Sequence, residues 1–419
     1  MITVIGLGFV GLTTALGFCS KGFTVYGFDI DQKKINQLRK GKIPFHEPHL
    51  KETLKSNLNR KFFLTRDLKQ ALKNSSAVFY CVGTPEAPNG DANLQYLLAA
   101  IQETLKKIPQ NDFKVLVIKS TIPPLTTQNQ IKPFIERSGL IIGKTIGLAN
   151  NPEFLREGRA WEDFVHPDRI VIGCSDPQSE NLLKNLYQPF KAPIFKVSFN
   201  TAEYIKYLSN TFLATLISFA NEMSLIAHSI GDIDIEEAFK IFHRDKRWSG
   251  EPANMSSYVY PGCGFGGMCL PKDLKCFYIQ TKKWGCYSGL LKEVLEVNSK
   301  IKQFVVKKVM EVADKKETIG IFGLAFKPNT DDVRESPAKD IMKLLWDQGY
   351  RNIVAHDPIA IPNFKKSYRF RAQYHLSVKE AIKKSDVILI LTAWNQIREQ
   401  KGLLQNKKVL DFRYCLKNS

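Results

Sequence analysis

Six residues near the start of the chain constrain its fold more than any others. Gly6-Leu7-Gly8-Phe9-Val10-Gly11 follows the apolar run Ile2–Ile5 and opens a helical pattern that continues through Leu16. In a strand–turn–helix unit, Gly6 permits the tight turn, Gly8 lets the backbone approach a pyrophosphate, and Gly11 allows close helix–strand contact. The free N–H groups and positive dipole end of such a helix favour phosphate. Asp29 ends the next apolar run, at the spacing of an acid that accepts ribose hydroxyls. A carboxylate there repels a 2′-phosphate, so the expected dinucleotide is NAD. Lys34 lies just beyond and joins Gly6, Gly8, Phe9, Val10, Gly11 and Asp29 as a candidate cofactor residue, although a lysine on a surface helix is the plainer reading.

From this start, short apolar runs alternate with helical patterns for about 195 residues, the signature of a doubly wound parallel sheet. The expected strands are Ile2–Ile5, Thr24–Phe28, Ala77–Val82, Lys114–Ile118, Ile146–Ala149 and Ile170–Gly173; Gln32–Arg39 and Leu94–Lys107 carry helical periodicity. The pattern then changes. Ala202–Ile230 predicts one long helix, Ile235–Phe242 a shorter one, and Ser288 to about Asp314 another. Alternation resumes with expected strands Ile319–Phe322, Ile353–His356, Val387–Leu391 and Val409–Asp411 and helices Ala338–Gln348 and Lys379–Lys384. The fold class is therefore α/β, with two Rossmann-like doubly wound domains joined by a long central helix. The expected divisions are residues 1–200, 201–300 and 301–419, the two α/β parts facing a shared cleft.

Composition excludes several classes. With 44% apolar and 24% charged residues the chain can bury large cores, so disorder is not expected. The longest apolar stretch, Tyr207–Ile230, is broken by Asn210, Asn221, Glu222 and His228, which fits a buried helix better than a bilayer span. The first residues show no basic leader or cleavage site, and a cytoplasmic protein is expected. The eight cysteines include no CxxC pair and the seven histidines are dispersed, so neither a disulfide scaffold nor a metal site is expected. A net charge of +19 could attract polyanions, but it is spread along the chain; neither nucleic acid nor membrane is an expected partner.

The richest stretch chemically is Tyr258-Val-Tyr-Pro-Gly-Cys-Gly-Phe-Gly-Gly-Met-Cys-Leu-Pro-Lys-Asp273. So many glycines and prolines predict a tight loop that can take a ligand against its backbone. Cys269 ends the glycine run, with Lys272 and Asp273 just after it; Cys263 is a rival thiol within the loop. Thiols become nucleophiles beside cations or helix-end N–H groups. On the long helix, Lys206 and Asn210 are spaced i,i+4 and share a face. Polar groups on the inner face of an apolar helix are paired or functional, and these two could hold an oxyanion. Asn151-Pro-Glu153-Phe-Leu-Arg-Glu157-Gly, Ser120-Thr121 and Gly83-Thr84-Pro85 each follow a strand, at the rim where open α/β sheets bind ligands. Taken singly, each could equally be a cap or a turn.

Together these segments resemble the UDP-glucose/GDP-mannose dehydrogenase family, almost end to end. The landmarks are GLGFVG (6–11), VGTP (82–85), STIP (120–123), NPEFLREG (151–158), HPDRIVIG (166–173), AEYIKYLSNTFLA (202–214), GFGGMCLPKD (264–273) and FKPNTDDVRESPA (326–338). The resemblance implies a four-electron oxidation with two NAD+ in sequence, from a sugar CH2OH to a carboxylate. Cys269 matches the cysteine that captures the aldehyde as a thiohemiacetal and then carries a thioester. Lys206 and Asn210 match the oxyanion-stabilising pair, Asp273 an aspartate that orients water or shuttles a proton, and Glu153 a glutamate of base chemistry or thioester hydrolysis. Thr121 matches a position beside the nicotinamide; Thr84, Glu157, Lys272 and Arg334 match positions near NAD. Phe154, Leu155, Arg156, Glu157 and Gly158 match positions lining the nucleotide sugar, as do Tyr258, Val259, Tyr260, Pro261, Gly262, Gly266 and Lys327. The resemblance also implies a homodimer through the central helix and a UDP site in the second α/β domain. There the degraded pattern Gly320-Ile-Phe-Gly323 suits a Rossmann-like domain that no longer binds a dinucleotide.

NPEFLREG with HPDRIVIG is most similar to the UDP-glucose branch, which implies UDP-glucose oxidised to UDP-glucuronate. Two departures lie near the sugar: Met268 stands where a small residue is usual, and the run 245–257 is long. Arg247 and Arg244 both match an arginine that reaches the partner subunit's substrate, Arg247 being favoured. Three other readings stay open: the same chemistry on GDP-mannose or another UDP-hexose, a two-electron hydroxyacid dehydrogenase, and a non-catalytic basic binding protein.

Overall fold

Runs such as Ala77–Tyr80 and Val115–Ile118 are apolar at every position, Ile2–Ile5 at all but Thr3, and each is buried at every position. Strands covered by helices on both faces have this pattern. The computed structural model describes residues 1–109, 112–245, 249–250, 253–254, 260–284 and 288–416. It divides into two units, Met1–Ser209 and Asn210–Ser419, with the boundary inside one continuous helix, Phe199–Ile230.

In the first unit, β1 is Ile2–Ile5, β2 Val25–Phe28, β3 Phe62–Leu64, β4 Ala77–Tyr80, β5 Val115–Ile118, β6 Gly147–Asn150, β7 Ile170–Cys174 and β8 Ile194–Val197. They form one sheet in the order β3-β2-β1-β4-β5-β6-β7-β8. The strands from β3 to β6 are all parallel, so the turns after β1, β2, β4, β5 and β6 gather on one edge. The order reverses at β1 and β4, and a doubly wound sheet takes its ligand at such a point. A wholly parallel sheet was the expectation, but β7 runs antiparallel to β6. The link between them holds only the short helix Ala160–Val165. Its Phe164 packs on Phe18 of the first helix at 5.6 Å and fills the space before Gly17, so no helix of full length carries the chain back across the sheet.

Phe18, fully buried, also meets Phe23, Phe79, Tyr187 and Phe190 with centroids 5.2–5.8 Å apart, and this cluster seats the Phe9–Ser20 helix on the sheet. Burying one such ring contributes about 2–3 kcal/mol.

In the second unit a two-residue antiparallel pair, β9 (Ser249–Gly250) and β10 (Ala253–Asn254), precedes a second sheet. Strands β11 (Ile319–Phe322), β12 (Ile353–His356), β13 (Gln373–His375), β14 (Val387–Ile390) and β15 (Lys408–Asp411) are parallel, in the order β13-β12-β11-β14-β15. Gly320 lies inside β11, within the expected strand Ile319–Phe322, where Ser385 crowds the position of any side chain. The turn glycine is Gly323, which ends β11 as Gly6 ends β1: φ is +100° and +88° respectively. Each donates its N–H to the last carbonyl of the neighbouring strand, Gly323 to His356 and Gly6 to Phe28. Among the described residues no helix is long and apolar enough to cross a membrane.

Candidate active site

The turn after β1 has the form a dinucleotide requires. A side chain at Gly6 would meet the Cys81 carbonyl and the Val82 nitrogen at 2.9 Å, and one at Gly11 would collide with the Gly6 carbonyl. Gly8 faces open space, with nothing within 4 Å. The helix Phe9–Ser20 has no side-chain N-cap and no acid in its first turn, which leaves its positive end to a phosphate. Val10 is half-buried, and Phe9 rests edge-on against Phe45 at 5.5 Å. The Asp29 carboxylate accepts from Leu7 N at 2.7 Å, Lys34 Nζ at 2.7 Å and Asp31 N at 2.8 Å. A carboxylate has about four acceptor positions, so one remains for a ribose hydroxyl.

The turns after β4 and β5 are tied together. Thr84 donates to the Thr121 carbonyl at 2.7 Å, and Ser120 donates to the Val82 carbonyl at 2.7 Å. After β6, Glu153 forms a 2.7 Å ion pair with Lys206 of the long helix, both side chains being only about 5% exposed. Glu153 also accepts from Leu155 N at 2.6 Å. Burial alone would raise the Glu153 carboxyl, but Lys206, together with the Leu155 N–H and Lys119, outweighs it and holds the group below the usual range, ionised. The Phe154 ring lies 4.2 Å from the Arg169 guanidinium and 5.8 Å from Lys206 Nζ. Arg156 pairs with Asp163 through two side-chain bonds and is largely exposed. Glu157 is half-buried, while Gly158, at φ +83°, donates to Glu47 at 2.8 Å.

In the second unit Cys269 is the first residue of the helix Cys269–Lys283, where N–H groups favour an anion. It is the one exposed thiol among the seven described cysteines. Its rival Cys263 is buried against the Leu391 carbonyl, and burial pushes that thiol up, away from thiolate. Asp273, fully buried one turn along the same helix, accepts from Asn210 Nδ2 and from Lys272 Nζ, each at 2.5 Å. Burial lowers Lys272, but the Asp273 carboxylate outweighs it and the ammonium is held above its ordinary value.

The glycine loop packs against its own chain more than was expected. Space before Gly266 and Gly267 is taken by the Glu335 carbonyl and the Phe326 ring, and the Arg413 guanidinium stands before Gly262. Asn298 clamps the loop from both sides, accepting from Phe265 N at 2.8 Å and donating to Phe265 O at 3.2 Å. Asn221 accepts from Gly262 N at 2.6 Å. Pro261 is buried, and Tyr260 is half-buried beside His243 and Tyr414. Lys327 sits over Phe326. Arg334 pairs with Asp332, with one guanidinium nitrogen on the Met268 sulfur. Arg247, Tyr258 and Val259 lie outside the described residues.

Glu47, Lys119 and Asn298 went unread in the sequence, because nothing local separates them from surface polar residues. Their burial is the signal, and it comes from contacts distant along the chain. Among the described residues no group of three or more His, Cys, Asp or Glu is placed to hold a metal.

Residues 1–191 match the NAD binding domain of the UDP-glucose/GDP-mannose dehydrogenase family, residues 200–300 its central domain and residues 320–418 its UDP binding domain. The UDP-glucose 6-dehydrogenase TuaD of Bacillus subtilis is 36% identical over 98% of this chain and 88% of its own length; YwqF of the same organism is 37% identical over 99% and 93%. A solved UDP-glucose dehydrogenase from Pyrobaculum islandicum is 36% identical, covers 99% of this chain and 95% of its own, and superposes with a TM-score of 0.90. For a UDP-D-ManNAc dehydrogenase from Pyrococcus horikoshii the identity is 28%, the coverage 100% and 97%, and the TM-score 0.84. On its glycine turn, its buried polar pairs and this full-length similarity, the chain belongs to the UDP-glucose/GDP-mannose dehydrogenase family.

Proposed function

We propose that the protein is an NAD-dependent UDP-glucose 6-dehydrogenase that forms UDP-glucuronate by a four-electron oxidation through a thioester on Cys269. The observation that carries this reading is a set of buried polar pairs on residues with distinct chemical roles. Lys206 pairs with Glu153, and Asn210 with Asp273. Charges buried in an otherwise apolar interior cost stability and concentrate where chemistry needs them.

NAD, held by the Gly6–Gly11 turn and Asp29, supplies the hydride acceptor for both oxidations. The chain's own residues do the rest. Cys269 adds its sulfur to the C6 aldehyde, and the acyl group stays on that sulfur as a thioester until water releases the acid and restores the thiol. Lys206 and the Asn210 amide, one turn apart on the long helix, stabilise oxygen anions formed at C6. Glu153, kept ionised by Lys206, and Asp273 are the bases that move protons and orient water. Thr121 and Thr84 shape the nicotinamide end of the site, with Glu157, Lys272, Lys34 and Arg334 near the cofactor. The segments 154–158 and 258–262, with Gly266, Lys327 and Arg247, receive the nucleotide sugar. Residues 1–200 are the cofactor domain, 201–300 the central region and 301–419 the UDP domain.

A homodimer through the long helix fits its apolar surface. Tyr204, Leu208, Phe212 and Phe219 are 45–50% exposed at spacings of four and seven residues and form a single apolar stripe. A cytoplasmic setting fits free cysteines, since the mechanism needs Cys269 reduced.

The test is turnover against a panel of UDP-glucose, UDP-hexosamines and GDP-mannose, followed by NADH formation. UDP-glucose is expected to be the preferred substrate. Strong turnover of another sugar with none of UDP-glucose would reject the assignment.

A further inference from the structure

We propose that Lys119 is a positioning residue of the oxidation site: its buried ammonium fixes the Asn151-Pro152-Glu153 turn and supplies a second positive charge facing Glu153. The inference rests on the function proposed above. Lys119 follows β5 directly, is 4% exposed, and immediately precedes Ser120-Thr121. Its Nζ donates to Asn151 Oδ1 at 3.0 Å and to the Asn151 carbonyl at 3.4 Å. One side chain thus joins the turn that carries Thr121 to the turn that carries Glu153.

Anchoring alone does not require a cation there. Asn151 already receives the Tyr187 hydroxyl on Oδ1 at 2.5 Å, donates Nδ2 to the Val171 carbonyl at 2.8 Å, and donates its backbone N–H to Ile118 at 2.8 Å. A buried ammonium is costly unless compensated, and no carboxylate lies within ion-pair distance of Lys119 among the described residues. Partial compensation comes from the Phe164 ring, 5.7 Å from Nζ, and from the field of Glu153. Burial accordingly brings the ammonium down to about 8, where it is still mostly charged at neutral pH.

The neighbours do not cancel that charge. Burial pushes Cys81 up to about 12 and raises Tyr187 well above its ordinary value, so both stay protonated. Lys119, Lys206 and Glu153 therefore carry two positive charges against one negative. Such an excess serves an oxyanion developing beside Lys206 and keeps Glu153 in its carboxylate form.

The experiment compares kcat and KM for NAD and UDP-glucose in the wild type and three variants. Lys119→Met removes charge and donor, Lys119→Gln keeps a donor without charge, and Lys119→Arg keeps both. We expect Met and Gln to lower kcat about thirtyfold or more with KM for NAD within about twofold, and Arg to recover about tenfold of the loss. Wild-type kcat in Met or Gln would overturn the proposal. So would an equal loss in all three variants with NAD affinity lost in parallel, the mark of a purely structural lysine. Should Met not fold, Gln against Arg decides: a faster Arg supports the proposal and equal rates overturn it. A wild type that oxidises no nucleotide sugar would overturn the functional reading itself, an outcome distinct from a working wild type indifferent to Lys119.

Discussion

The side-chain amide of Asn210 donates to the carboxylate of Asp273 across 2.5 Å, with both residues buried. An amide nitrogen has two hydrogens, so the contact consumes one and fixes the direction of the other. Lys272 occupies the second Asp273 oxygen. The aspartate therefore also orients an amide.

Replacing Asp273 by Asn should allow the Asn210 amide to turn over. The expected result is a kcat loss of about 100-fold, the scale of a lost oxyanion donor, with KM for UDP-glucose little changed. It should also destabilise the fold by about 3 kcal/mol, because Lys272 is left buried without its counter-charge. Steady-state kinetics and denaturant titration check the two effects separately.

Glu203, on the first turns of the long helix, is 2% exposed and accepts from Thr127 N at 2.8 Å. Burial raises its carboxyl to about 7, the Thr127 hydroxyl and the backbone N–H groups of Leu125–Thr127 offsetting only part of the rise. A raised carboxyl binds its proton more tightly folded than unfolded. Its contribution is thus complete below the unfolded value of 4.5 and is lost as pH rises through about 7. Glu203→Gln should therefore gain up to about 2 kcal/mol at pH 8 and nothing at pH 4, read from melting curves at both.

Asp357 directly follows β12 as Asp29 directly follows β2, yet the two carboxylates do different work. Asp357 is fully buried and accepts five N–H groups, from Leu324, Ala325, Ile359, Ala360 and the Trp394 indole. No acceptor position is left for a ribose hydroxyl, in contrast to Asp29. Asp357→Ala should cost about 3–5 kcal/mol, with early hydrogen exchange in the second sheet. Asp29→Ala should instead raise KM for NAD about tenfold or more with a smaller loss of stability.

The stripe Tyr204, Leu208, Phe212 and Phe219 predicts a wild type that sediments as a dimer and a Leu208→Asp, Phe212→Asp variant that sediments as a monomer in sedimentation velocity. An unchanged sedimentation coefficient would place any interface elsewhere.

Much of this was legible from sequence because it is local. The glycine turn, the apolar central strands and the i,i+4 pair Lys206/Asn210 are set by residues close together in the chain. Elements that failed to show depend on tertiary context. Strands β3, β8 and β13 are short, lie at sheet edges and carry exposed or half-buried residues, so their patterns resemble loops. The antiparallel turn of β7 follows from where Phe164 packs. Likewise Lys119 and Asn298 look like ordinary polar residues until burial identifies them.

Acid formation by Cys269→Ser, measured beside wild type with UDP-glucose and NAD, tests the covalent route most directly. Wild type should release UDP-glucuronate with two NADH for each sugar consumed, whereas the serine variant should release no acid, its alkoxide leaving group being far too poor for rapid hydrolysis of the corresponding ester. UDP-glucuronate produced by Cys269→Ser at the wild-type rate would contradict the thioester.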